Sequence, residues 1–236
     1  MPRPPADAAP EVVIDTRPPP MDLQPETPPV DMRPVVEVMP EVPATPTPII
    51  MIMPEAPPAV TNLTNAGTLD WVHTGLGSGP TVNRKRGVSP ALIAVTFLTS
   101  EFHSRYNDRP VAFTWSDGMP TMSQNETRDG SNIGPGAQSG FELNVTGNVN
   151  KLRTLTLYVG AWNATAQLRV AWTGPSAPAE VMTDAAFTAG APGRDRMYRI
   201  RFQPTRADHK LRVQWRLQSV SDTYGNVTMQ GATLTE

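Results

Sequence analysis

Over long stretches of this chain the apolar residues fall at every second position, the period of an extended strand with one face in a core. From Leu152 to Val159, one face carries Arg153, Leu155, Leu157 and Val159 and the other a mixed set of Leu152, Thr154, Thr156 and Tyr158. Further on, Leu211, Val213, Trp215 and Leu217 alternate with Arg212, Gln214, Arg216 and Gln218, as in a half-buried antiparallel strand. Short β-rich runs separated by Gly, Asn, Asp and Pro place strands at 68–73, 91–98, 111–115, 140–146, 152–159, 167–172, 197–202, 210–217 and 226–234. No segment has a helical period. Nine strands at this spacing predict an all-β domain over 61–236, a single antiparallel β-sandwich of jelly-roll type.

The alternation stops short of residue 61. Of the 27 prolines, 18 fall in residues 1–60, whereas every Gly, Phe, Trp and Tyr lies beyond them. Without large rings this first quarter has no means of building an ordinary core. Clusters such as Pro18-Pro19-Pro20 favour polyproline II, so residues 1–60 read as an extended arm. Lacking glycine, it is a stiff spacer rather than a flexible linker. Small apolar groups recur within it around Val12 and Val35, and the strongest is Ile49, Ile50, Met51, Ile52 and Met53. Two readings of that pentapeptide stand side by side. It anchors the arm as a strand on a partner's sheet edge or groove, or it packs on this chain's own domain as a first strand.

Charge divides along the same line, −6 for residues 1–60 and +4 for the remainder. The run Arg84-Lys85-Arg86 reads as a solvated loop rather than a polyanion contact, and no nucleic-acid partner is expected. With no cysteine, disulfides and cysteine-ligated zinc are excluded. The N-terminus has no apolar signal core, and no run approaches the roughly 18 apolar residues of a membrane span, so no membrane insertion is expected.

The runs Gly67-Thr68-Leu69-Asp70-Trp71-Val72-His73, Phe113-Thr114-Trp115-Ser116-Asp117-Gly118 and Thr154-Leu155-Thr156-Leu157-Tyr158-Val159-Gly160-Ala161-Trp162, with Gly225-Asn226-Val227-Thr228, are familiar in combination. Over 61–236 the chain resembles the carbohydrate-binding-module-like jelly-roll domains of bacterial secreted and phage structural proteins. That resemblance implies a carbohydrate-binding or adhesive module without catalysis. The proline-rich arm has no counterpart in it.

The chemistry-bearing residues agree with an absence of catalysis. Asp70, Glu101, Asp117, Asp129 and Asp184 are the carboxylates from which a glycosidase pair would come, but Asp117-Gly118 reads as a turn and Asp70 as a strand-end hydrogen-bonder. His73, His103 and His209 lack metal-ligand spacing, and no cofactor fingerprint is present. Aromatic faces are the better functional residues, because exposed Trp and Tyr stack on sugar rings. Trp162 ranks first, since Gly160 and Asn163 place it in a loop, and Trp115 next, with Asn163 and Asp117 beside them. Trp71, Trp172 and Trp215 read as core. Asn-x-Thr triplets at Asn62, Asn125, Asn144, Asn163 and Asn226 serve turns and strands. The expectation is a non-catalytic, multi-copy virion structural protein (capsid decoration, neck or tail fibre), held to other virion proteins by its arm and displaying a module toward a host-surface glycan. The alternative is a secreted or cell-surface carbohydrate-binding module on a proline-rich stalk, with a small β-sandwich polysaccharide hydrolase a third reading.

Overall fold

The computed structural model describes residues 47–77, 81–98, 103–136, 138–177, 181–183 and 186–236. The first 46 residues of the polyproline II reading and the apolar groups around Val12 and Val35 lie outside them, as do Glu101 and Asp184; the last part of that reading, residues 47–60, contains the strand Ile49–Glu55. Among the described residues the only helix is the four-residue Leu63–Ala66, capped by Asn62, whose side chain accepts the Asn65 N–H at 3.1 Å. Everything else regular is strand.

All nine expected strands are present. The first sheet runs in the order Ile49–Glu55, Arg194–Gln203, Arg153–Trp162, Asn226–Thr235, Asp70–Thr74, Val82–Lys85 and Gly118–Met119, and Gly130–Ile133 joins Asn226–Thr235 to His103–Tyr106. The second runs Val181–Thr183, Ala164–Thr173, Lys210–Val220, Gly140–Thr146 and Ile93–Leu98, with Phe187–Ala189 beside Ala164–Thr173. From Gly140 onward the long strands go alternately to the second sheet and the first, the winding of a jelly-roll sandwich. A small third sheet, Val60–Asn62, Ala112–Trp115 and Gln124–Thr127, contains the one parallel pairing among the described strands.

The alternation seen in the sequence becomes the inner faces of the two large sheets. Leu155, Leu157, Ile200, Phe202, Leu234 and Met229 from the first meet Phe141, Leu143, Leu168, Val213 and Trp215 from the second, all fully buried. Tyr198 and Trp215 approach across the core with ring centroids 5.8 Å apart. The mixed face of the 152–159 run also has a reason. Tyr158 joins Leu63, Trp71, Val111, Phe113, Trp115 and Met197 in a second core between the first sheet and the small third one. Strands here are covered on both faces, which erases the clean alternation.

The domain begins earlier than the composition suggested. Ile49–Glu55 pairs antiparallel with Arg194–Gln203 over seven residue pairs, Ile49 with Gln203 through Glu55 with Met197. Ile50 and Ile52 turn inward and pack on the main core, while Ile49, Met51 and Met53 face outward, each about 40% exposed. Of the two readings of the pentapeptide, packing on its own sheet is the one displayed, and the boundary at residue 61 moves ahead of Ile49. A run flanked by prolines fits any sheet edge, and its partner strand lies some 150 residues further along.

Another correction concerns Arg84-Lys85-Arg86. Arg84 and Lys85 belong to the strand Val82–Lys85, and the Lys85 Nζ lies 2.7 Å from the Asp117 carboxylate. The run is thus part of the sheet margin rather than a loop.

His73 is fully buried between Phe113 and Trp115, with ring centroids 5.6 and 5.0 Å away. Burial pushes its pKa down to about 3, only partly opposed by the Asp129 backbone. The folded state therefore refuses a proton that the unfolded chain takes up from about pH 6.5 downward, so stability falls with falling pH through that window. At about 1.4 kcal/mol per pH unit, acidification from 6.5 to 5 should cost roughly 2 kcal/mol. His103, lowered by burial as well, adds in the same direction. Urea unfolding at pH 7 and pH 5 checks this. His73→Phe should remove most of the difference, and an unchanged slope would assign the acid sensitivity elsewhere.

Candidate functional site

At one end of the first sheet, four segments converge on a cleft of about 370 Å³ lined by Tyr106, Asp108, Arg109, Asn132, Trp162, Asp222, Tyr224, Asn226 and Thr228. Strand register brings them together. Asn132 pairs with Thr228 and Trp162 with Asn226, so four side chains from three strands share the sheet's outer face. Gly160, opposite Thr228, has to be glycine, since a Cβ there would lie 2.6 Å from the Arg194 carbonyl, an Asp195 carboxylate oxygen and the Thr228 hydroxyl.

The walls are tied in place from below and behind. Asn163 forms the one-residue corner between Arg153–Trp162 and Ala164–Thr173, with φ of 42°, a left-handed conformation that Asn tolerates better than most residues. Its amide donates to an Asp222 carboxylate oxygen at 2.6 Å, and its carbonyl accepts the Ser221 N–H at 2.7 Å. The other Asp222 oxygen accepts the Tyr224 N–H at 2.9 Å, and the Asn226 amide donates to the Tyr224 carbonyl at 2.9 Å. This network holds the loop that presents Tyr224, whose ring is 80% exposed. Arg109 is buried, donates to the Ala161 carbonyl at 2.9 Å and lies 3.7 Å from Asp195. Burial, and then the charge of Asp195, raise the pKa of Tyr106, so its phenol stays neutral.

The cleft presents rings and polar groups side by side. Trp162, half-buried, and Tyr224, exposed, present rings. Beside them, Asn132, Asn226 and Thr228 line the cleft with polar side chains of the kind that fix a ligand's orientation.

The residues singled out from the sequence fall unevenly around this cleft. Trp162 lines it, and Asn163 braces it from behind. Gly160 to Trp162 are the end of a strand and not a loop, as the sequence reading had them; the corner is Asn163 alone. Trp115 is 3% exposed, in the second core, with its indole N–H on the Thr121 carbonyl at 2.9 Å, so it offers no platform. Asp117 is likewise taken up by the fold. Its carboxylate accepts from Thr64 Oγ1 at 2.6 Å, Trp71 Nε1 at 2.9 Å and Lys85 Nζ at 2.7 Å. Burial works to raise its pKa, but these donors outweigh it and the carboxyl sits below its ordinary value.

Of the other carboxylates and imidazoles singled out from the sequence, those among the described residues stand in separate surroundings. Asp70 is fully buried on backbone N–H groups, and Asp129 lies 3.8 Å from Arg105. No group of three or more metal-ligating side chains occurs among the described residues. Sequence reasoning missed Tyr224, Tyr106 and Asn132. The available signal for the first was a lone aromatic inside the polar turn run from Ser221 to Asn226.

No family model matches the chain, nor does any curated protein. Among solved structures, the enzymatically active domain of tailspike protein 4 from bacteriophage CBA120 superposes with a TM-score of 0.36 at 9% identity, over 61% of this chain. This chain spans 19% of that tailspike's length. A structure described as showing the promiscuous specificity of carbohydrate-binding modules of the β-sandwich superfamily superposes with a TM-score of 0.34 at 12% identity, covering 82% of this chain and all of the other.

Proposed function

We propose that this protein is a non-catalytic glycan-binding protein and that a sugar ring docks in the cleft between Trp162 and Tyr224. The observation that carries the reading is the meeting, in one cleft, of the accessible rings of Trp162 and Tyr224 with the polar side chains of Asn132, Asn226 and Thr228. Sugars present apolar C–H faces and hydroxyls together, and so match both kinds of group at once. In this reading the segment ahead of Ile49 tethers the module to a virion, where it meets a host-surface glycan; a secreted module on a stalk is the alternative setting. Purified particles that retain the protein support the first, and protein found wholly in particle-free medium supports the second.

Tyr224→Ala and Trp162→Ala should each weaken binding to whichever oligosaccharide a glycan array selects by about tenfold, the loss of an aromatic anchor worth roughly 1 to 2 kcal/mol. Tyr224→Ala should leave the melting temperature unchanged, because its ring is exposed. Full binding by the folded Tyr224→Ala protein would remove the cleft as the site. Reducing-sugar release from the bound glycan would replace the non-catalytic reading with a hydrolase.

A further inference from the structure

On the outer face of the second sheet, away from the cleft and sharing no residue with it, three arginines stand on adjacent strands. Arg212 and Arg216 lie on Lys210–Val220, and Arg169 on Ala164–Thr173 is paired with the residue between them, Gln214. With a rise of about 3.4 Å per residue, Arg212 and Arg216 are spaced roughly 14 Å along the strand, with Arg169 beside the midpoint. Among the described residues no ion pair engages any of the three.

Among the described residues Glu142 is the acid on this part of the face, opposite Gln214. Its oxygens already accept from Asn144 Nδ2 at 2.9 Å and Gln214 Nε2 at 2.5 Å, so it is oriented toward amides rather than guanidinium groups. Arg216 gives one N–H to Gln138 Oε1 at 3.1 Å, while its Nε is buried without a partner. Burial, and then the proximity of Arg169, lower its pKa; the charge of Glu142 opposes them, and Arg212 adds to the lowering. Like charges are thus held together with an unmet donor among them.

We infer that this face is a second binding site, for an acidic polysaccharide whose carboxylates or sulfates seat on Arg169, Arg212 and Arg216. The planar guanidinium fork matches both anions. Amides of Gln167, paired with Arg216, and Asn144, paired with Arg212, stand beside the cations, where the hydroxyls of the same sugar units would come. None of these paired positions carries an aromatic ring, and base stacking, on which single-stranded nucleic acid binding relies, has nothing to use.

The full-length chain is titrated calorimetrically at physiological ionic strength with polygalacturonate, heparin, a neutral β-glucan and oligo-dT. Binding of at least one acidic glycan, weakened tenfold or more in Arg169→Gln/Arg212→Gln and severalfold in Arg216→Lys, which keeps the charge and loses the fork, supports the site. Preference between the two acidic glycans separates carboxylate from sulfate. Tyr224→Ala should leave this binding intact, so failure of the cleft and failure of this face are read independently. Absence of binding by both acidic glycans overturns the proposal, as does wild-type binding by the double variant. Oligo-dT binding of equal strength and equal arginine dependence also overturns it, in favour of a general polyanion surface. If the double variant loses its fold, Arg169→Glu at the exposed position decides the same question.

Discussion

Ile50→Asp combined with Ile52→Asp is expected to lower the melting temperature of the isolated chain by about 10 °C. Both side chains turn into the sandwich and pack on its main core. Two carboxylates there would be desolvated without partners, at a cost of about 2 kcal/mol each given partial burial. For a domain of this size each kcal/mol moves the midpoint by about 2 to 4 °C. The matched control is Ile49→Asp with Met51→Asp on the outward face, where the change should be small. The same logic applies to truncation. Removing residues 1–60 deletes the strand Ile49–Glu55 and bares the edge of Arg194–Gln203, whereas removing residues 1–46 keeps it. Equal melting temperatures for the inward pair and the wild type would mean that the strand does not belong to the domain.

The second large effect is expected at Asp70. Its carboxylate is fully buried and accepts three backbone N–H groups, from Trp71 at 2.8 Å, Leu92 at 2.9 Å and Ile93 at 3.0 Å. The first belongs to the first sheet and the third opens Ile93–Leu98 of the second, so one side chain joins the two layers where the chain crosses between them. Asp70→Ala strands all three donors away from water. A loss of about 3 to 5 kcal/mol is expected, in the range of other broken buried polar networks. Asp70→Asn keeps one oxygen but turns an NH₂ toward an N–H, and it should fall between. Denaturant unfolding at pH 7 measures both. A loss under about 1 kcal/mol for Asp70→Ala would mean that water replaces the carboxylate.

How far the sequence discloses such features depends on whether their partners are local. The strands Gly140–Thr146, Arg153–Trp162 and Lys210–Val220 are legible because each alternates against one large core. Val82–Lys85 and Gln124–Thr127 are not, since their polar residues lie at sheet margins and carry no period. Ile49–Glu55 is half legible: its apolarity demands burial, but nothing local says against which surface. Trp162 could be singled out as the tryptophan beside a tight corner, whereas Trp115, in an equally polar neighbourhood, is buried because Leu63 and Trp71 come to cover it. Asn132 and Thr228 were beyond reach. They meet through pairing across nearly a hundred residues, which no local pattern announces.

Docking of a glycan against Trp162 is best followed through the five tryptophan indole N–H resonances while the array-selected oligosaccharide is titrated in. Trp71, Trp115 and Trp215 donate their indole N–H groups to Asp117, the Thr121 carbonyl and the Gly160 carbonyl, and Trp172 is buried at the main core. The account predicts a large, saturable shift of the Trp162 indole with the other four nearly still, lost in Tyr224→Ala at the same ligand concentration. Saturable binding of the sugar with the Trp162 resonance unmoved would contradict it.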